Sequence, residues 1–158
     1  MPRPVLAAKP SAEPETPGII AETRQKAMGA LAELLFNQME DSDDEVGRMG
    51  MSSLLGGDSS SATGDADRVR LVLHISQAVA LQSRQQDDQA VEELERALDA
   101  GLDHPAAFFN LGYLYIQQNR LESGVRFLQR SAKNPDFAMG SHLLLGQTLL
   151  RMDKLREA

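Results

Sequence analysis

Residues 105–138 read PAAFFNLGYLYIQQNRLESGVRFLQRSAKNPDFA, and this stretch decides the fold. Its Leu111-Gly112 pair returns as Leu145-Gly146, 34 residues later. Apolar and polar residues do not alternate here with a period of two, so the stretch predicts helices rather than strands. A recurrence at this interval indicates a chain built from repeated helical units.

The same interval relates small residues across the C-terminal part of the chain. They form two registers, namely Ala78, Gly112 and Gly146 in the first and Ala90, Gly124 and Ala158 in the second. Small side chains let two antiparallel helices approach closely, and this packing offsets the roughly 1 kcal/mol that Gly costs within a helix. The phase divides the chain into units 71–104, 105–138 and 139–158.

A 34-residue helix–turn–helix unit resembles the tetratricopeptide-repeat (TPR) family. The resemblance rests on Phe108, Leu111-Gly112 and Tyr115 of the middle unit and covers residues 71–158. It implies an all-α solenoid in which the first helix of each repeat lines a groove for another polypeptide.

Turns are expected near residues 85–88, 101–105, 119–120 and 134–136. The position equivalent to Asn119 in the third unit is Asp153, so a further turn is expected there. The third unit would then stop just after its second helix begins, which predicts that the chain is part of a longer repeat protein.

Three segments precede the repeats. Residues 1–16 are rich in Pro, which disfavours helix, and predict a disordered leader. Residues 17–40 predict an amphipathic helix that ends at the acidic run after Glu40, because acidic residues are unfavourable at a helix C-terminus. Residues 41–66 are acidic and rich in Gly and Ser, so they predict a flexible linker before repeats over 67–158. The apolar stripe of the helix includes Ile20, Met28, Leu31, Leu35 and Met39.

Charge and composition argue against several functions. The net charge is −7 and Lys and Arg are not clustered, so nucleic acid is not an expected partner. The chain has no Cys and no apolar run long enough to span a bilayer, and a cytoplasmic location is expected. His74 and His142 stand two repeat lengths apart, which favours a packing role for both. No metal site, cofactor or catalytic residue is expected, and the chain is not predicted to be an enzyme.

The resemblance also assigns the residues that line the groove. They are Ile75, Val79, Phe109, Asn110, Tyr113, Ile116, Leu143 and Gln147, with Leu150 beyond them. Some family members bind a C-terminal carboxylate with Lys, Asn and Arg side chains. Only Asn110 matches that set here, so no carboxylate clamp is predicted.

These features predict a scaffold, adaptor or assembly factor that binds a helical or extended apolar segment of a protein partner. A chaperone-like holder of one secreted or membrane subunit is an alternative, and a regulatory arm of a larger enzyme is another. Residues 17–40 are expected either to fill the groove, in the same chain or through self-association, or to bind a separate protein.

Overall fold

The computed structural model describes the backbone of residues 16–49 and 61–158, and this part of the chain confirms the predicted all-α class. It contains helices and no strands. The helices are α1 (Thr16–Met49), α2 (Ser61–Ser83), α3 (Asp87–Asp99), α4 (Pro105–Gln117), α5 (Leu121–Ser131) and α6 (Pro135–Glu157). The predicted leader lies outside the described residues except for Thr16.

The linker predicted over residues 41–66 differs from the structure at both ends. Helix α1 continues to Met49 and α2 begins at Ser61, while residues 50–60 lie outside the described part. The acidic run is not a stop signal, because the dipole penalty applies only within the last helical turn. Asp41 to Glu45 lie before that turn, so they cost the helix little.

Two helical hairpins, α2–α3 and α4–α5, have the same connecting turn. Gln85 and Asn119, 34 residues apart, both adopt the left-handed conformation, with φ of 59° and 62°. In each turn the following residue donates its N–H across the turn, Gln86 to the Leu81 carbonyl and Arg120 to the Tyr115 carbonyl. The predicted 34-residue period is therefore present in the backbone of both hairpins.

Gly112 and Gly124 lie where α4 and α5 approach most closely. A Cβ atom at Gly112 would stand 2.7 Å from Leu128 Cγ, and one at Gly124 would stand 3.0 Å from the Gly112 carbonyl oxygen. These distances are shorter than van der Waals contact. The two glycines therefore set the spacing of this hairpin, as the small-residue register predicts.

Helix α6 does not turn at Asp153, so the predicted start of another helix there is wrong. The helix runs unbroken from Pro135 to Glu157. A Cβ atom at Gly146 would meet nothing within 4 Å, whereas its equivalent Gly112 is packed against α5. None of the described residues packs against Gly146, so nothing in this part of the structure requires a turn at Asp153, which stays helical.

The histidines differ in their surroundings. His74 is partly buried and its Nδ1 lies 2.7 Å from a carboxylate oxygen of Glu93, whereas His142 is exposed on α6. The predicted packing role therefore does not hold for His142, because none of the described helices covers its side chain. His104 precedes α4, where its Nδ1 accepts a hydrogen bond from the Ala106 N–H at 3.1 Å.

Candidate binding groove

Helix α1 lies against α2, α4 and α6, the first helices of the predicted repeats; α4 contacts α6, whereas α2 meets neither of them directly. The α1 residues buried in this contact are Ile20, Thr23, Ala27 and Leu31. Their spacing of three or four residues gives one continuous stripe along a helix. We call the face of α2, α4 and α6 beneath this stripe the groove.

Gly140 lets α1 approach α6. A Cβ atom at this position would stand 2.6 Å from the Cβ atom of Thr23, so no larger residue fits without displacing one helix. The Thr23 hydroxyl donates to the carbonyl of Ile19 at 2.7 Å and so leaves no hydroxyl donor unsatisfied in the contact.

Cationic side chains fix the orientation of α1. The Arg24 guanidinium lies 4.5 Å from the centre of the Tyr113 ring and 3.9 Å from Asp87. Lys26 donates to the carboxylate of Asp136 at 3.1 Å. Further along, Arg68 of α2 donates to Gln38 of α1 at 2.7 Å. These contacts are partly or fully exposed, so each contributes about 0–1 kcal/mol. They determine where α1 lies along the groove more than how strongly it binds.

Several predicted groove residues do face α1. Tyr113 and Gln147 line a cavity of 390 Å³ together with Ile20 and Arg24. Asn110 is fully buried at the centre of the groove, and its Nδ2 lies 3.6 Å from Met28 Sδ. Phe109 is fully buried, with its ring centre 6.3 Å from that of Phe137 on α6.

Ile116 does not line the groove. A Cβ atom at Gly124 would stand 2.6 Å from Ile116 Cγ1, which places this side chain in the interface between α4 and α5. The error has a geometric cause, since Ile116 is three residues after Tyr113 and lies about 60° away around the helix. Ile75 is fully buried in the core, Val79 and Leu143 are half-buried, and Leu150 is exposed.

The predicted residues of α1 are distributed similarly. Ile20 and Leu31 are buried, while Met28 and Leu35 are half-buried. The side chain of Met39 lies outside the described residues.

Four further residues contact or border α1 directly and are absent from the predicted groove. They are Asp87, Asp136, Gly140 and Leu144. One signal was present for Gly140, since it is equivalent to Ala106 and both are small. The sequence gives no indication of the roles of Asp87 and Asp136, because the partner of an exposed carboxylate depends on how α1 docks.

The described residues contain no group of His, Cys, Asp and Glu side chains that could hold a metal ion. No helix within residues 16–49 and 61–158 combines the length and apolar character needed to cross a membrane. The groove itself offers an apolar stripe with charged edges, which is suited to an amphipathic helix.

Comparison with known proteins gives no relative, since no family model, curated protein or solved structure matches this chain.

Proposed function

We propose that this chain is a cytoplasmic, TPR-like protein-interaction scaffold whose groove binds an amphipathic helix of a partner. In this proposal α1 is the resident occupant, and a partner helix replaces it. The main observation is that α1 itself occupies the groove. It does so as a helix that buries apolar residues and forms ion pairs at the edges of the groove.

The geometry of the hairpins supports the TPR-like part of the proposal. The left-handed turn residues Gln85 and Asn119 recur 34 residues apart, and Gly112 meets Gly124 at the positions where the sequence predicts small residues. The first helix of each unit faces α1, and the second helix lies behind it.

The balance of contacts supports replacement. Burying Ile20 and Leu31 contributes about 1.5–3 kcal/mol each, and the exposed ion pairs add little. A tether keeps α1 at an effective concentration of millimolar order, so a partner helix competes only if it binds the open groove well below that concentration. Helix α1 also buries Ala27 and packs Leu34 and Leu35 against the core, and we expect it to open as one local unit without unfolding the hairpins.

The test uses the full chain with Leu31→Asp, which places a charge in the buried stripe of α1 and so releases the helix. A fluorescent peptide of residues 16–40 is then titrated against this variant and the unchanged chain. We expect the variant to bind the peptide at least about tenfold more tightly, because about 1.4 kcal/mol of competition from α1 suffices for that factor.

One control variant and one further releasing variant accompany the titration. Glu33→Ala changes an exposed residue of the same helix and should leave peptide affinity at the level of the unchanged chain. Ala27→Asp is a second way to release α1. If both charged variants lose the helical signal of the hairpins, or if neither gains affinity, α1 is a permanent part of the core and the proposal is wrong.

A further inference from the structure

Two amide side chains are buried in or beside the groove without the hydrogen bonds they need. Asn110 Oδ1 has no hydrogen-bond partner, and its Nδ2 reaches only the sulfur of Met28. Gln82 is 6% exposed, and neither its Oε1 nor its Nε2 is bonded. Buried polar groups in folded proteins are nearly always paired, so two such amides in one region require an explanation.

The repeat itself does not require amides at these positions. Gln82 is equivalent to Ile116 and to Leu150, and Asn110 is equivalent to Leu144. Apolar residues therefore stand at the Gln82 position in both other units, and at the Asn110 position in the third unit, whereas the first unit has Ser76 there. An apolar side chain at either site would avoid the desolvation cost of an unpaired amide.

Met28 of α1 is the α1 residue that the surroundings of both amides have in common. Asn110 contacts its sulfur, and Gln82 lines a cavity of 650 Å³ together with Met28, Arg24 and Gln25. A thioether is a weak acceptor and donates nothing, so it cannot satisfy Asn110 Oδ1. The apolar stripe of α1 fits the groove, but its residue at this one position does not.

We propose that the groove is built for a helix that carries an Asn or Gln side chain at the position Met28 occupies. This inference rests on the function proposed above and names the chemistry of the partner. Helix α1 binds the groove more weakly than the partner does. The partner replaces α1 because its side chain forms hydrogen bonds with the buried amides of Asn110 and Gln82.

An amide satisfies these requirements better than a charge does. Asn110 Oδ1 needs a donor, whereas Gln82 needs both a donor and an acceptor. A primary amide offers both, an ammonium group only donates and a carboxylate only accepts. Burying a charge beside the amides would also carry a larger desolvation cost.

The test is native-state hydrogen exchange of residues 18–38 in the full chain carrying Met28→Gln. We expect the α1 amides to exchange about tenfold more slowly, which is the factor expected when one or two buried groups gain a partner. Met28→Leu is the matched control, since it keeps the apolar volume without a donor, and it should not slow exchange. Met28→Asn provides a second, shorter amide.

The gain must depend on the amides beneath. Adding Asn110→Leu and Gln82→Ile to Met28→Gln should abolish the slowing. The inference is overturned if both amide variants exchange as fast as the unchanged chain, or if the slowing survives the loss of Asn110 and Gln82.

Failure of the proposed function gives a different result. In that case α1 would exchange together with α4, only through global unfolding, in every variant. The melting temperatures of Met28→Gln and Met28→Leu would still show whether the amides gain a partner, with a higher value for Met28→Gln if they do.

Discussion

At the scale of single residues, small side chains determine where helices meet. Gly112 allows α4 and α5 to approach closely, and Gly140 does the same for α6 and α1. Gly146 occupies the same repeat position as Gly112 but faces open space. The repeat phase predicts that Gly112 and Gly146 are equivalent in sequence. It does not predict their different surroundings, which depend on whether another helix covers them.

The matched pair of variants Gly112→Leu and Gly146→Leu tests this assignment. The side chain at Gly112 would be forced against Leu128 and the Gly124 carbonyl, and such overpacking costs about 1–3 kcal/mol. At Gly146 a Cβ atom meets nothing within 4 Å, so the same substitution should be neutral or slightly stabilising, because Leu has the better helix propensity. Thermal unfolding of both variants decides the question, and equal melting temperatures would show that the α4–α5 packing is wrongly assigned.

At the scale of helices, the two Pro start signals agree with the structure, whereas the start of α2 and the end of α1 do not follow from the sequence. Pro105 and Pro135 each begin a helix within a residue or two of the expected turns, since Pro favours the first helical turn. The end of α1 was misplaced because an acidic run only weakens a helix end. The turn expected at Asp153 is absent, because none of the described helices packs against Gly146 to impose it. The docking position of α1 depends on long-range packing, and sequence analysis offered it only as one of two alternatives.

His104, which caps the N-terminus of α4, is expected to make the stability of the fold depend on pH. Burial lowers the pKa of His104 below its usual 6.5, although Asp103 opposes the shift. The neutral ring accepts the Ala106 N–H, and protonation of Nδ1 removes that acceptor. The unfolded chain therefore binds this proton more readily, so the stabilisation is complete above pH 6.5 and is lost as the pH falls through the lower folded-state value.

Chemical denaturation at several pH values, comparing the chain with His104→Asn, measures this contribution. Asn keeps a capping acceptor but does not titrate, so the variant should lose less stability than the unchanged chain as the pH falls below 6.5. An identical pH dependence for both proteins would show that His104 does not carry the effect.

At the scale of the whole molecule, two hairpins and α6 form a platform, and α1 lies across it. The all-α class and the hairpins follow from the 34-residue period, which is a local property of the sequence. Tyr113 and Asn110 contact α1, whereas Ile116 packs between α4 and α5, because side-chain direction changes by about 100° per residue along a helix. The central claim is that α1 occupies this platform within its own chain.

The most direct test of that claim is a distance measurement between spin labels in the full chain. The sequence has no native Cys, so the label pairs Gln25→Cys with Gln85→Cys and Gln25→Cys with Gln147→Cys can be introduced cleanly. Gln25 borders one cavity with Gln85 and another with Gln147. We predict a short, narrow distance distribution for both pairs that persists when labelled protein is diluted into unlabelled protein. A broad distribution, or a short distance that disappears on dilution, would contradict the claim.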